Sequence, residues 1–202
     1  MSLKPRENTF RTADGRSIVL RNLGAHDTQA LLKFAFSMFE EKAANRDLGL
    51  VAFDREPTLT EEKEYLSQII RGRKAGEVVS VAAFDGTKLV GHCEVRRRMR
   101  EDVVHAGTLG IAVLAGYRGV GLGEKLMGEA LFQARQVGIW LVQLTVFANN
   151  SVAAGLYRKM GFKKAGRIPD KMLRDRRHID EVIMYVDLRR SDKSVSQRRK
   201  EG

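Results

Sequence analysis

The stretch "GYRGVGLGEK", residues 116–125, packs four glycines and two cations into ten residues. It joins a strand-like run, "TLGIAV", to a helix-like run, "KLMGEALFQA". Glycines there let backbone N–H groups converge without side-chain clash. The next helix leaves unpaired donors and the positive end of its dipole at the same place. A pyrophosphate suits that environment, with Arg118 as an added donor. A plain connecting turn is the other reading. Two familiar loops are excluded by spacing. Lys125 stands between Glu124 and Leu126, so there is no Walker lysine followed by a hydroxyl. Gly119, Gly121 and Gly123 give G-x-G-x-G, which fails the dinucleotide fingerprint at its third position.

At 202 residues and 43% hydrophobic content the chain is expected to form one domain, over residues 1–189. No apolar run is long enough to span a bilayer, and the polar N-terminus lacks the apolar region of a secretory signal. Cys93 is the lone cysteine, and the four histidines are scattered, so no metal site is expected. A soluble cytoplasmic protein is the expectation. The net charge of +11 favours anionic partners. It is concentrated late, in "KMLRDRRH" at residues 171–178 and in a basic tail at 190–202, which is expected to be disordered. Residues 39–64 run the other way, with eight acids against four bases.

Periodicity predicts a strand at "RSIVLRNL" and a helix over 25–42. A second helix, "TLTEEKEYLSQIIRG", carries a capping pattern at Thr60 with Lys63 and Glu64. A hairpin comes next with its turn at "DGTK", then a buried strand at "VVHAGTLGIAV". An amphipathic helix spans 122–137. A buried strand "WLVQLTVFA", a short helix "NSVAAGLYRKM" closed by Gly161, and a final pair "FKKAGRI" and "DEVIMYVDL" complete the order. The class is mixed α/β, around one sheet.

In "NNSVAAGLYRKMGF", Asn150, Ala153 and Tyr157 fall about one turn apart, on one helix face. Taken alone, this is equally a packing tyrosine with Asn150 as N-cap. Together, this segment and the glycine loop resemble the GNAT superfamily of acyl-CoA-dependent N-acetyltransferases. The resemblance covers residues 107–162, through the R-x-x-G-x-G loop and the pattern N-x-x-A-x-x-L-Y-x-x-x-G-F. The closing strands are similar to those of the amino-acid, antibiotic and protein N-terminal acetyltransferase branch. The fold it implies is a mostly antiparallel sheet of six to seven strands, splayed at the cofactor site and flanked by four helices.

The resemblance also implies roles. The backbone of Ile111, Ala112 and Val113 would bond pantetheine and polarise the thioester carbonyl. Arg118, Gly119, Val120, Gly121, Leu122 and Gly123 would hold the pyrophosphate of acetyl-CoA. Asn150 and Ala153 would bind near pantetheine. Tyr157 would protonate the leaving thiolate as a primary amine of a small molecule or peptide N-terminus attacks directly. Lone Cys93 needs no role. Many similar proteins carry a glutamate on the strand before the loop, where this chain has Thr108. The base candidates are therefore Glu94 first, then His92, then His105. The acidic stretch suggests a cationic acceptor, whereas "KMLRDRRH" suggests one with a carboxylate. A homodimer is left open. An alternative of another class is an acyl-CoA-binding regulator that meets nucleic acid or the ribosome through its basic tail.

Overall fold

The structure, a computed structural model, describes residues 8–45 and 55–189. The chain opens with strands β1 (Asn8–Arg11) and β2 (Ser17–Arg21), then helices α1 (Thr28–Ala44) and α2 (Leu59–Ala75). Strands β3 (Val78–Asp85), β4 (Lys88–Arg97) and β5 (Ala106–Val113) come next, then α3 (Leu122–Gln136) and β6 (Leu141–Phe147). Helix α4 (Ser151–Lys159) precedes the closing pair β7 (Lys163–Arg174) and β8 (Arg177–Asp187).

All eight strands share one sheet in the order β1-β2-β3-β4-β5-β6-β8-β7. Every neighbouring pair is antiparallel except β5 and β6. The mixed, mostly antiparallel sheet with four helices matches expectation, but the count is eight rather than six to seven. The added strand is β1, whose short polar sequence carries little alternation yet pairs with β2 through four residues. The final pair is also longer than predicted. "KMLRDRRH" is not a free loop but the end of the β7–β8 hairpin, turned through Asp175 and Arg176 at φ of 49° and 61°.

Helices α1 and α2 pack on one face, against β4 and β3, while α3 packs against β3, β4 and β5. The faces result from side-chain period. Leu122, Leu126, Met127, Ala130, Leu131 and Ala134 are the buried stripe of α3. On α2 the stripe is Glu62, Leu66, Ile69 and Gly72. This helix begins two residues earlier than expected. Thr58, not Thr60, is its N-cap, in a reciprocal box with Glu61. The "DGTK" turn is as predicted, with Asp85 opposite Lys88 and Gly86 at φ +56°.

The register of β5 decides where the sheet opens. It pairs with β4 along seven residues, from Gly107–Arg97 to Val113–Gly91. Its parallel pairing with β6 covers only Ala106–Leu141, Gly107–Val142 and Thr108–Gln143. Beyond Thr108 the two strands separate. At that junction Gly107 leaves no room for a side chain. A Cβ there would lie 2.8 Å from Val95 Cγ1, 3.0 Å from Ile139 Cγ2 and 3.1 Å from the Arg96 carbonyl. Gly107→Ala is expected to destabilise the fold by about 1–3 kcal/mol. Urea unfolding should show a lower midpoint with an unchanged slope.

Candidate active site

The separation of β5 from β6 opens a cleft of about 630 Å³. One wall is the backbone and side chains of Ile111, Ala112 and Val113, and the other includes Thr145 and Val146 of β6. The rim is built from the glycine loop (Arg118, Gly119, Gly121, Gly123) and the start of α4 (Asn149 to Ala153). Leu156 and Tyr157 line it further along the same helix. Ten of the fourteen expected site residues are therefore brought to one cavity; Val120 and Leu122 lie in the same loop, and His92 and Glu94 lie off it.

The loop has the geometry its glycines allow. Gly119 and Gly121 adopt φ of +74° and +86°, which side chains rarely tolerate. Gly121 is the N-cap of α3 and offers no side-chain cap, so the first N–H groups of that helix keep their donor capacity. Leu122, by contrast, is fully buried and contributes to the site only through its backbone. Gly123 has a second reason to be small. A Cβ there would lie 3.2 Å from Leu156 Cδ2, so α4 could not approach α3 as closely.

Arg118 is at the cleft but already engaged. Its Nε donates to the Val113 carbonyl at 2.7 Å, and its NH2 group pairs with Glu41 at the end of α1. Glu41 also accepts from the Ala115 N–H at 2.7 Å. One carboxylate thus ties α1 to both ends of the turn that leads into the loop. Lys159 is likewise paired with Glu124. Asn150 is the N-cap of α4, its Oδ1 accepting from the Ala153 N–H at 3.0 Å, while its side chain also lines the cleft.

Tyr157 is nearly buried, packs on Phe162 and sits beside Cys93. Burial, with Cys93 nearby, pushes its phenol up to about 12. Its hydroxyl has no hydrogen-bond partner among the described residues. Cys93 is fully buried and its thiol is pushed far up by burial, which makes it inert.

The first two base candidates lie on the other face of β4. Register pairs Glu94 with Gly110 and His92 with Ala112. Both Glu94 oxygens are occupied. Arg96 Nε donates to one at 2.7 Å, and Tyr65 Oη and Arg96 NH2 donate to the other at 2.9 and 3.1 Å. Three donors on one carboxylate make a firm clamp. His92 is buried, its Nε2 lies 2.8 Å from Ser80 Oγ, and burial disfavours its charged form. His105 is at the opposite end of β5, about 20 Å along the strand from Ile111. It stacks on Trp140 at 4.1 Å, away from the cleft.

The two acceptor clues also look different in three dimensions. Part of the acidic stretch, residues 46–54, lies outside the described residues. Of the rest, Glu41 holds Arg118, Glu61 caps α2 and pairs with Arg55, and Glu62 is buried. Arg174, within the basic hairpin, is buried over the Phe147 ring at 4.7 Å. The tail at 190–202 also lies outside the described residues. Among the described residues, no three His, Cys, Asp or Glu side chains cluster to hold a metal, and no helix is long and apolar enough to cross a membrane.

Residues 38–162 match the model of the acetyltransferase (GNAT) family, and the chain belongs to that family. It is 31% identical over 108 residues to the L-amino acid N-acetyltransferase AaaT of Escherichia coli. That match covers 52% of this chain and 64% of the relative's length. A GNAT-family acetyltransferase from Streptococcus pneumoniae superposes with a TM-score of 0.74 at 26% identity, over 83% of this chain and 98% of that one. A phosphinothricin acetyltransferase from Sinorhizobium meliloti, solved with acetyl-CoA, shares the fold at 20% identity and a TM-score of 0.71, covering 85% of this chain and 88% of that one.

Glu41 generates a prediction independent of any ligand. Glu41→Gln should weaken the charge-assisted bonds to Ala115 and Arg118. Hydrogen exchange of the Ala115 amide is expected to accelerate about ten-fold, with exchange in β3 and β4 unchanged.

Proposed function

We propose that this protein transfers the acetyl group of acetyl-CoA to a primary amine of a small molecule or a peptide N-terminus. The observation that carries this reading is the cleft between β5 and β6, with unpaired helix donors at one end and the Tyr157 hydroxyl on its wall. The cavity is of the size that small-molecule and cofactor sites have. The glycine loop suits a pyrophosphate, because a backbone free of Cβ atoms lets the anion reach the N–H groups. The edge of β5 beyond Thr108 has lost its strand partner on the β6 side and can pair instead with an extended amide-bearing arm. The phosphinothricin acetyltransferase solved with acetyl-CoA and the L-amino acid N-acetyltransferase of similar sequence agree with this use of the fold.

In the reaction the amine nitrogen attacks the thioester carbonyl carbon; the C–N bond forms and the C–S bond breaks. A backbone N–H of Ile111 to Val113 stabilises the charge that develops on the carbonyl oxygen. Tyr157 gives its proton to the departing sulfur. A phenol held near 12 is a weaker acid than a thiol at about 8.5, so that transfer alone runs uphill. The nitrogen, positively charged as the C–N bond forms, returns a proton to Tyr157 and restores it. Tyr157 thus acts as a relay, which its burial keeps protonated at neutral pH.

The test is CoA release from acetyl-CoA with spermidine, free amino acids and peptides bearing free N-termini. Tyr157→Phe is expected to lower kcat by about 10²–10³-fold while leaving the Kd for acetyl-CoA within about two-fold. Failure of the wild-type protein to release CoA with every acceptor would overturn the reading.

A further inference from the structure

The amine acceptor is an ammonium at neutral pH and must shed a proton before it attacks. The carboxylate expected to take that proton, Glu94, is clamped by Arg96 and Tyr65, and His92 is bonded to Ser80. Resting on the acetyl-transfer reading above, we propose that Glu62 of α2 is the general base that deprotonates the acceptor amine.

The position is set by how α2 lies on the sheet. The helix closes at Gly76, whose carbonyl accepts from Arg97 Nε at 2.9 Å. Further back along the helix, Tyr65 reaches Glu94, three residues before Arg97 on β4. Walking from the end of α2 toward its start therefore moves along β4 from Arg97 toward His92. His92 is the register partner of Ala112, which lines the cleft. Glu62 is three residues before Tyr65, on the same helix face and about 4.5 Å further in that direction. It lies toward the end of β5 where the thioester carbonyl would be held.

The side chain is unusual in two respects. It is only 9% exposed, on the stripe that buries Leu66, Ile69 and Gly72. No hydrogen bond or ion pair reaches its carboxyl among the described residues. A largely buried carboxyl that receives no donor from the protein is costly in its charged form. Among the described residues the charged group that acts on it is Glu61 of its own helix, while Tyr65, one turn on, reaches Glu94 and Arg96 of β4. Arg96 is committed to Glu94, and Glu41 to Arg118. Burial, together with the Glu61 carboxylate beside it, pushes the Glu62 carboxyl up to about 7. A base that titrates near the working pH is the most effective one.

The proton balance is simple. Ionised Glu62 takes one proton from the ammonium, leaving the neutral amine to attack. The C–N bond forms, the C–S bond breaks, and Tyr157 relays the second nitrogen proton to the sulfur. Glu62 then returns its proton to water. The sum is ammonium plus thioester giving amide, thiol and one released proton.

The same burial makes a claim about stability. The folded state holds the Glu62 proton up to about pH 7, whereas an unfolded glutamate releases it near 4.5. The native state thus binds more protons across that window, and stability falls as pH rises through it. Removing the charge should abolish that loss.

Glu62→Gln tests both claims in the full-length protein. The kcat/KM for an alkylamine acceptor is expected to fall about 10²–10⁴-fold, and the acidic limb of its pH profile near 7 should disappear. An amine of low pKa, such as trifluoroethylamine, should lose much less, since it arrives already neutral. The Kd for acetyl-CoA should stay within about two-fold. Glu62→Asp, which keeps the carboxyl, should retain part of the rate and the limb. Independently of turnover, the Tm difference between Glu62→Gln and wild type should grow in favour of the variant from pH 4.5 to 7 and level off above. A Gln variant with the wild-type rate and limb would overturn the proposal, as would a flat Tm difference. A wild-type protein that binds acetyl-CoA but releases none would sink the acetyl-transfer reading instead, and this assignment with it.

Discussion

The parallel ladder between β5 and β6 is three residue pairs long, and the rest of the site depends on where it stops. Each strand is held straight by its other neighbour: β5 by β4 along its length, and β6 by β8 as far as Phe147–Glu181. Because both antiparallel ladders continue while the parallel one ends, the strands diverge and the sheet carries a wedge-shaped opening at its middle. The elements after each strand then deliver the rim. The turn after β5 leads to the start of α3, and the turn after β6 leads to the start of α4. Two helix N-termini meet at one opening, which is an arrangement suited to anions.

The charge around this opening is more constrained than a net charge of +11 suggests. Arg118 and Lys159 each meet a carboxylate from a different element, Glu41 and Glu124. These pairs fix side chains that would otherwise sample many rotamers, and the loop reaches its shape before any ligand arrives. Two further titratable groups lie deeper. Tyr157 stands on the α3 side of the sheet and Glu62 on the α2 side, and burial favours the neutral form of both. Proton donor and proposed proton acceptor thus belong to elements on opposite faces of the sheet and approach the opening from different sides. Such separation keeps the two from neutralising each other and lets each be tuned by its own surroundings.

Most of the framework was legible because its signals are local. The alternation in β2, the "DGTK" turn and the stripe of α3 are each set by near neighbours in the chain. The elements that were missed depend on distant partners. Four residues, "NTFR", form a strand only because β2 is there to pair with them. The end of the β7–β8 hairpin is highly charged and contains two residues of positive φ, so nothing local marks it as extended. The site was legible to the same degree. Glycine and tyrosine motifs carry their spacing with them, and they converge on the cleft. Glu94 and Glu62 could not be told apart by composition, since Glu62 was one acid in a run of eight. Its signal was positional: it begins the i, i+4, i+7 series Glu62, Leu66, Ile69, the one charged member of an otherwise apolar stripe.

The brief ladder has a mechanical meaning as well. It leaves strands β1 to β5 and strands β6 to β8 as two half-sheets sewn together by a short seam. Strand hydrogen bonds alone give that seam little cohesion, so the halves also rely on the close approach of α4 to α3, where Leu156 lies against Gly123 and Met160 against Gly128. A molecule lying in the wedge and bonded to both walls would act as an extra stitch. Its occupancy would then set how firmly the C-terminal half adheres to the rest, and the cohesion of this protein would rise with the concentration of what it binds.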